Sequence, residues 1–276
     1  MKSIGLPFLL PMLLLSLGGF VAPMGVLAVY SLSAGDTPGL FGNYAAFLAD
    51  QFNVAVVVDT IVLGVKVVFV TTLCGVPIAL LYWHSGPRLR QVVIFLTLLP
   101  MLTSNIVRTF AWIVLLGRTG PLVAIAHFLG LTDGPTTFLL TEGGLVTALS
   151  QIDMPLLVLP LIAVVSRTDA RLIEAAEMAG AGPWRILGTI LLPLALPGIL
   201  AGWILTFASA TTSFVTQATI GGARHIYLPQ FVYRQVSVLY DWPSAAAVSF
   251  ILIVSTGSVI LALAMLTRHP RLVGHA

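Results

Sequence analysis

The sequence predicts an all-α integral membrane protein with six transmembrane helices, and composition and patterning carry this prediction. Of 276 residues, 58% are hydrophobic and only 8% are charged, which is about a third of the charged fraction of an ordinary soluble domain. The apolar residues form long runs, and a spanning helix needs about 20 apolar residues. The whole chain is therefore predicted to be one transmembrane domain.

Six apolar segments are each long enough to cross a bilayer. They cover residues 6–30, 56–83, 91–116, 144–165, 194–214 and 245–266. Two connections, around residues 31–53 and 117–143, are rich in Gly, Thr, Asp and Pro and are typical of turns and short surface helices. The connection between the fourth and fifth spans, residues 166–193, is the most charged part of the chain.

The distribution of Lys and Arg indicates the orientation, because cytoplasmic loops collect these residues. With the amino terminus inside, the basic residues of the cytoplasmic segments are Lys2, Arg88, Arg90, Arg167, Arg171, Arg185, Arg268 and Arg271, and those on the opposite side are Arg118, Arg224 and Arg234. We therefore expect both termini, and the segment 166–193, to face the cytoplasm.

Several function classes are excluded by residue types. The basic residues are scattered singly and form no stripe for nucleic acid. Cys74 is the only cysteine and the histidines show no ligand spacing, so no disulfide or metal site is expected. Lys2 and Lys66 are the only lysines and neither ends a Gly-rich phosphate loop. We expect no catalytic residue and no cofactor in this chain, and ATP hydrolysis would need another polypeptide.

The segment 166–193 has the pattern of a helix, a tight turn and a second helix. Asp169 can cap a helix that begins at Ala170. This helix is expected to end near Gly180 or Gly182, and Pro183 suits the first turn of the next helix. Small alanines between these points permit close approach by another protein.

The same segment carries a family signature, which reads Glu174-Ala175-Ala176, three residues, Gly180, nine residues, and Ile190-x-Leu192-Pro193. It resembles the loop of the membrane subunits of binding-protein-dependent type I ABC importers. The resemblance implies that the loop forms coupling helices, with Glu174, Ala175, Ala176 and Gly180 as contact positions for an ATP-binding subunit. The alternative is an interfacial connector made of good helix formers.

Further short matches point to the spermidine/putrescine branch of this family. They are Leu99-Pro100, Val107 to Trp112, Leu115 to Arg118, Ser213 to Thr216, Gly221-Gly222 and Asp241-Trp242-Pro243. Related importers of opines, phosphonates, thiamine and ferric iron share these matches about as well. One departure is Ile152-Asp153-Met154-Pro155, where an aromatic-Leu-Pro is expected; its acidic group puts the choice of substrate in doubt.

The resemblance implies a permease subunit of the bacterial inner membrane that forms the pathway for a small, polyamine-like solute. It implies four kinds of partner: the lipid bilayer, ATP-binding subunits that hold ATP and Mg, a second permease subunit in a heterodimer, and a periplasmic binding protein. The rival function is a secondary transporter coupled to protons or sodium.

Polar residues at membrane depth are the pathway candidates. Arg108 costs roughly 3 kcal/mol or more near mid-span unless it faces a cavity or a partner, so it lines the path, pairs with Asp153 or snorkels to the interface. Pairing with a carboxylate is the favoured arrangement, because a permease for a polycation would not obviously want a free Arg in its path. Asp153 could instead attract an ammonium group. Thr212 and Ser213 indicate a water-filled path or hydrogen bonds between helices.

Two other features of the spans predict packing. Gly198 and Gly202, four residues apart in the fifth span, predict a close helix contact. Lys66 lies within the second span and is expected to face a neighbouring helix.

Overall fold

Helices form every regular element in the described part of the chain. The computed structural model describes residues 6–33, 39–131 and 136–267, and the predicted loop charges Lys2, Arg268 and Arg271 lie outside them. The α-helices are α1 Leu6–Leu32, α2 Gly42–Ala49, α3 Gln51–His84, α4 Pro87–Leu102, α5 Asn105–Leu116, α6 Pro121–Phe128, α7 Glu142–Val165, α8 Ala170–Met178, α9 Pro183–Ile186, α10 Leu192–Thr212, α11 Phe214–Thr216, α12 Leu228–Ser237 and α13 Trp242–Thr267.

Within these residues, six stretches are long and apolar enough to cross a membrane. They are Leu14–Leu32, Gln51–His84, Asn105–Phe128, Glu142–Val165, Pro183–Thr212 and Trp242–Met265. The predicted all-helical membrane fold with six apolar helices is confirmed.

The predicted third span, residues 91–116, differs from the structure in two ways. It is divided between α4 and α5, and the apolar stretch long enough to cross a membrane is Asn105–Phe128, which continues into α6. Thr103 has an extended backbone, with φ −98° and ψ 142°, and Ser104 precedes α5 with ψ 137°. The N–H of Thr103 donates to the carbonyl of Pro100, three residues back, so α4 closes with a tight turn before the break.

The fifth span begins earlier than residue 194, because α9 and α10 are joined by a π-helical segment, Leu187–Leu191. The backbone N–H of Leu192 donates to the carbonyl of Leu187, five residues back, which is the π-helical spacing. The second half of the predicted coupling segment is therefore continuous with the spanning helix, over Pro183–Thr212.

The chain divides into two compact units. The first comprises Met1–Val57 and Leu228–Val254, and the second comprises Val58–Tyr227 and Ser255–Ala276. Within the first unit, the Asn43 amide donates to the carbonyls of Ser31 and Ser33 at 3.2 and 3.0 Å. The rings of Phe47 and Phe231 meet edge to face, with their centroids 5.3 Å apart. These contacts tie α2 to the end of α1 and to α12.

The core of the second unit is built on the contact between α7 and α10. A Cβ at Gly198 would lie 3.0 Å from Cα of Leu161, and a Cβ at Gly202 would lie 2.9 Å from Cα of Leu157. The two backbones approach this closely because neither glycine has a side chain. The close contact predicted from Gly198 and Gly202 is confirmed.

Replacing Gly202 by valine should separate α7 from α10, because the new Cβ meets backbone that cannot rotate away. Overpacking of this kind costs about 1–3 kcal/mol, so the thermal midpoint of the purified protein should fall by several degrees. Gly257→Val in α13 is the matched control, since nothing lies within 4 Å of a Cβ there. Equal midpoints for the two variants would contradict the assigned contact.

Candidate functional site

Helix α8 begins with the capping residue that the sequence predicts. Oδ1 of Asp169 accepts a hydrogen bond from the backbone N–H of Arg171 at 3.0 Å. A side-chain acceptor at this position satisfies one of the backbone donors that a helix leaves free at its start. The prediction of a helix that begins at Ala170 and is capped by Asp169 is confirmed.

Gly180 ends α8 in a conformation that suits glycine. Its φ is +80°, in the left-handed region. The N–H of Gly180 donates to the carbonyl of Glu177, and the N–H of Ala181 donates to the carbonyl of Ala176, both at 2.9 Å. This pair of bonds is the Schellman motif, in which a left-handed residue satisfies the last carbonyls of a helix. Pro183 then begins α9.

One side of α8 is anchored by a small apolar cluster. Ile173, Ile186 and Leu191 are buried together, with Leu80 and Trp83 of α3 packed against them. Arg90 donates to the carbonyls of Tyr82 and Trp83 at 3.1 and 2.8 Å and so caps the end of α3. These contacts fix which side of α8 faces away from the protein.

The outward side of α8 follows from the helical period of about 100° per residue. Ile173 and the half-buried Ala176 define the inward side. The opposite side presents Arg171, Glu174, Ala175 and Met178, all of them exposed, and we call these four residues the docking face. Glu177 is also exposed but lies nearer the inward side. Two bulky apolar side chains of this segment are largely exposed: Met178 on the docking face at 91% and Trp184 of α9 at 83%.

Three of the four predicted contact residues are exposed, and the fourth is half-buried. Glu174 and Ala175 lie on the docking face, and Gly180 is exposed at the turn. Ala176 is half-buried and packs against the apolar cluster. The residue pattern alone does not single out Arg171, Met178 or Trp184. Once Ile173 is known to be buried, the helical period places Arg171 and Met178 on the opposite side of α8.

A second candidate site is a cleft within the second unit. It has a volume of about 230 Å³ and we call it the polar cleft. It is lined by Met101, Asn105, Arg108, Ile152, Asp153, Pro155, Leu156, Ser209 and Ser213. The break between α4 and α5 lies beside it, because Met101 in the last turn of α4 and Asn105 at the start of α5 both line the cleft.

Arg108 and Asp153 both line this cleft but form no ion pair with each other. Nη1 of Arg108 donates to the carbonyl of Ile152 at 3.1 Å, and Oδ1 of Asp153 accepts from the Ser209 hydroxyl at 2.7 Å. Within the described residues, Nε of Arg108 and Oδ2 of Asp153 have no hydrogen-bond partner. The cleft thus holds two groups of opposite charge that the protein only partly satisfies.

Thr212 and Ser213 have different surroundings. Ser213 lines the polar cleft and donates to the Ser209 carbonyl at 2.8 Å. Thr212 is exposed outside it and donates to the Ala208 carbonyl at 2.7 Å. Just beyond, the Thr109 and Thr216 hydroxyls meet at 3.0 Å between α5 and α11. The polar end of the fifth span therefore includes a contact between helices as well as a cleft.

Lys66 forms an ion pair with Glu142, the first residue of α7. The expected contact of Lys66 with a neighbouring helix is thus made by a carboxylate at a helix amino end, where negative charge is favoured. Both side chains remain partly exposed. Across the described ranges, no group of three or more His, Cys, Asp or Glu side chains is placed to hold a metal ion.

Residues 68–272 match the family model of the binding-protein-dependent transport system inner membrane component. The chain belongs to this family. The match covers both the docking face and the polar cleft, so the two sites lie in the part of the chain that defines the family.

Curated members of the family show which proteins the chain is similar to. It is 30% identical over 177 residues to the spermidine/putrescine transport system permease protein PotB of Haemophilus influenzae, covering 64% of this chain and 62% of that protein. It is 27% identical over 219 residues to PotB of Escherichia coli, covering 79% of each chain.

Two solved structures share the fold. One is a bacterial ABC transporter involved in the import of the acidic polysaccharide alginate, with a TM-score of 0.77, 15% identity and coverage of 95% of this chain and 94% of that chain. The other is the alginate transporter in complex with a pentasaccharide-bound periplasmic protein, with a TM-score of 0.79 and 15% identity, covering 98% of this chain and 95% of that chain. At this identity they support the fold.

Replacing Gly180 by alanine should loosen the turn after α8, because an L-residue in the left-handed region costs about 1–2 kcal/mol. Hydrogen exchange at the backbone amides of residues 180 and 181 should become roughly 5–30 times faster. Gly188→Ala is the matched control, since Gly188 also has open space around it but no positive φ. If both variants left the exchange rates unchanged, the assignment of a Schellman motif at Gly180 would be contradicted.

Proposed function

We propose that this chain is a membrane subunit of a type I ABC importer that forms the translocation pathway for a small, polyamine-like solute. The observation that carries the proposal is the docking face: an anchored, double-capped helix that presents Glu174, Ala175 and Met178 outward within the family's matched region. The solute class is supported by the PotB proteins, which are permease proteins of spermidine/putrescine transport systems.

In this proposal, α8 transmits force between an ATP-binding subunit and the spanning helices. The buried cluster of Ile173, Ile186 and Leu191 joins α8 to the start of the fifth span. A push on the docking face would therefore move the Pro183–Thr212 helix, whose other end carries Ser209 of the polar cleft. Packed elements of this kind switch between discrete arrangements.

The remaining parts of the importer would be supplied by other chains. ATP and Mg are held by the ATP-binding subunits, a second permease subunit completes the pathway as a heterodimer, and a periplasmic binding protein delivers the solute. Support for the last partner comes from the alginate transporter, whose structure includes a periplasmic protein. We place the chain in the bacterial inner membrane with both termini cytoplasmic.

Glu174→Lys should weaken binding of the ATP-binding subunit. A hydrogen bond to a charged group contributes about 1.5–3 kcal/mol, so affinity should fall roughly tenfold to a hundredfold. Glu177→Lys is the matched control, because it makes the same charge reversal on the same helix nearer the inward side. Binding is measured by titrating the purified ATP-binding subunit onto the permease complex in nanodiscs.

An uptake assay separates this proposal from a secondary transporter. Proteoliposomes holding the full complex should take up labelled putrescine, spermidine or a related amine only with ATP and the ATP-binding subunits present, and Glu174→Lys should abolish that uptake. Uptake that persists without the ATP-binding subunits would overturn the proposal.

The proposed orientation can be tested with single cysteines. In a Cys74→Ser background, Arg185→Cys should react with a membrane-impermeant maleimide only from the cytoplasmic side, and Arg234→Cys only from the periplasmic side. The two positions lie on opposite sides in the topology inferred from Lys and Arg. Labelling of both from the same side would refute it.

A further inference from the structure

The polar cleft contains an unusual pair of charged groups. Asp153 is 3% exposed, yet in the described structure its Oδ2 has no hydrogen-bond partner. Arg108 lines the same cleft with an unpartnered Nε. Buried polar atoms without partners are costly, so their presence in a native structure calls for an explanation such as a functional role.

The two charges are held apart by bonds to other groups. Arg108 is turned toward the carbonyl of Ile152, and Asp153 toward the hydroxyl of Ser209. In a direct ion pair, the two side chains would have used their hydrogen-bonding capacity on each other. Instead, the guanidinium of Arg108 on α5 and the carboxyl group of Asp153 on α7 both line the cleft separately.

The wall formed by α5 favours an anionic group for a second reason. Asn105 and Arg108 belong to the first turns of this 12-residue helix and both line the cleft. The side chain of Ser104 makes no capping bond to the helix. The amino end of a helix attracts negative charge, so it adds to the guanidinium of Arg108. A carboxylate is the natural ligand for a guanidinium.

We propose that the polar cleft binds solutes that carry a carboxylate and an ammonium on one short chain, with the carboxylate at Arg108 and the ammonium at Asp153. This inference rests on the proposed function, because it treats the cleft as part of the pathway. It narrows the polyamine-like class to chains in which one terminal ammonium is replaced by a carboxylate. A diamine would place a like charge beside Arg108, which is unfavourable at membrane depth.

The size of the cleft agrees with such a ligand. Sites for drug-sized molecules occupy about 300–1,000 Å³, whereas the cleft has about 230 Å³. It therefore admits a small ω-amino acid or the end of a longer chain. Leu156 and Met101 supply apolar surface for the methylene groups between the two charges.

The test compares solutes that differ at one end only. The full importer in nanodiscs, without its binding protein, is titrated with 4-aminobutyrate and putrescine, which have four carbons, and with 5-aminopentanoate and cadaverine, which have five. Each amino acid should bind at least tenfold more tightly than the diamine of equal length. Arg108→Gln should remove that preference without weakening the diamines, and Asp153→Asn should weaken all four ligands.

Thr147→Val is the control variant, because Thr147 is an exposed α7 residue whose hydroxyl bonds to its own helix. It should bind all four solutes like the wild type. Retained binding of the ATP-binding subunit shows that each variant is folded. Three results would each overturn the inference. They are diamine binding that equals or exceeds that of the amino acids, no binding of any of the four solutes, and equal weakening of both classes by Arg108→Gln.

The outcome can be separated from that of the proposed function. ATP-driven uptake of putrescine in proteoliposomes, together with diamine binding at least as tight as that of the amino acids of equal length, would refute the carboxylate site and keep the importer. Selective binding of the amino acids without any ATP-driven uptake would refute the importer and keep the site.

Discussion

The close contact of α7 and α10 is the constraint on which the rest of the second unit depends. Gly198 and Gly202 let the two backbones approach, and the side chains of Leu157 and Leu161 fill the space beside them. Within the bilayer no hydrophobic effect drives two apolar helices together, so close van der Waals packing must do so. The same two helices carry Asp153, midway along α7, and Ser209, near the end of α10, and the connection between them contains α8 and α9.

This arrangement connects a surface site to an interior site through a single continuous helix. The helix from Pro183 to Thr212 has 30 residues and is about 45 Å long at 1.5 Å per residue. Its first turn is anchored to α8 by the cluster around Ile186, and its last turns contribute Ser209 to the polar cleft. Between the two sites lie the π-helical segment and Pro197, the two features at which helices bend.

The sequence was most informative where one local rule determined the outcome. Asp169 and Gly180 predicted the ends of α8 because caps depend only on neighbouring backbone, and the apolar runs predicted the spanning helices because the bilayer fixes their length. The division of the third span at Thr103 was missed, since an apolar window averages over many residues and does not register the extended backbone of one of them. The partners of Lys66 and Arg108 could not be predicted, because Glu142 and Ile152 come from a distant part of the chain and reach them only through tertiary packing. Met178 was passed over because its importance depends on which side of α8 is buried.

The π-helical segment Leu187–Leu191 changes the angular relation between the two ends of the fifth span. A π-turn holds one more residue than an α-turn, so the residues after it are displaced by about 100° around the axis from where a uniform α-helical wheel would put them. The hydrogen bond between Ser209 and Asp153 is made in the register that follows this segment. Loss of one residue within the segment would let it close as an ordinary α-helical turn and keep the hydroxyl-bearing side of the helix toward the cleft, whereas loss of one residue from the α-helical turns between the segment and Ser209 would turn that side away by about 100°.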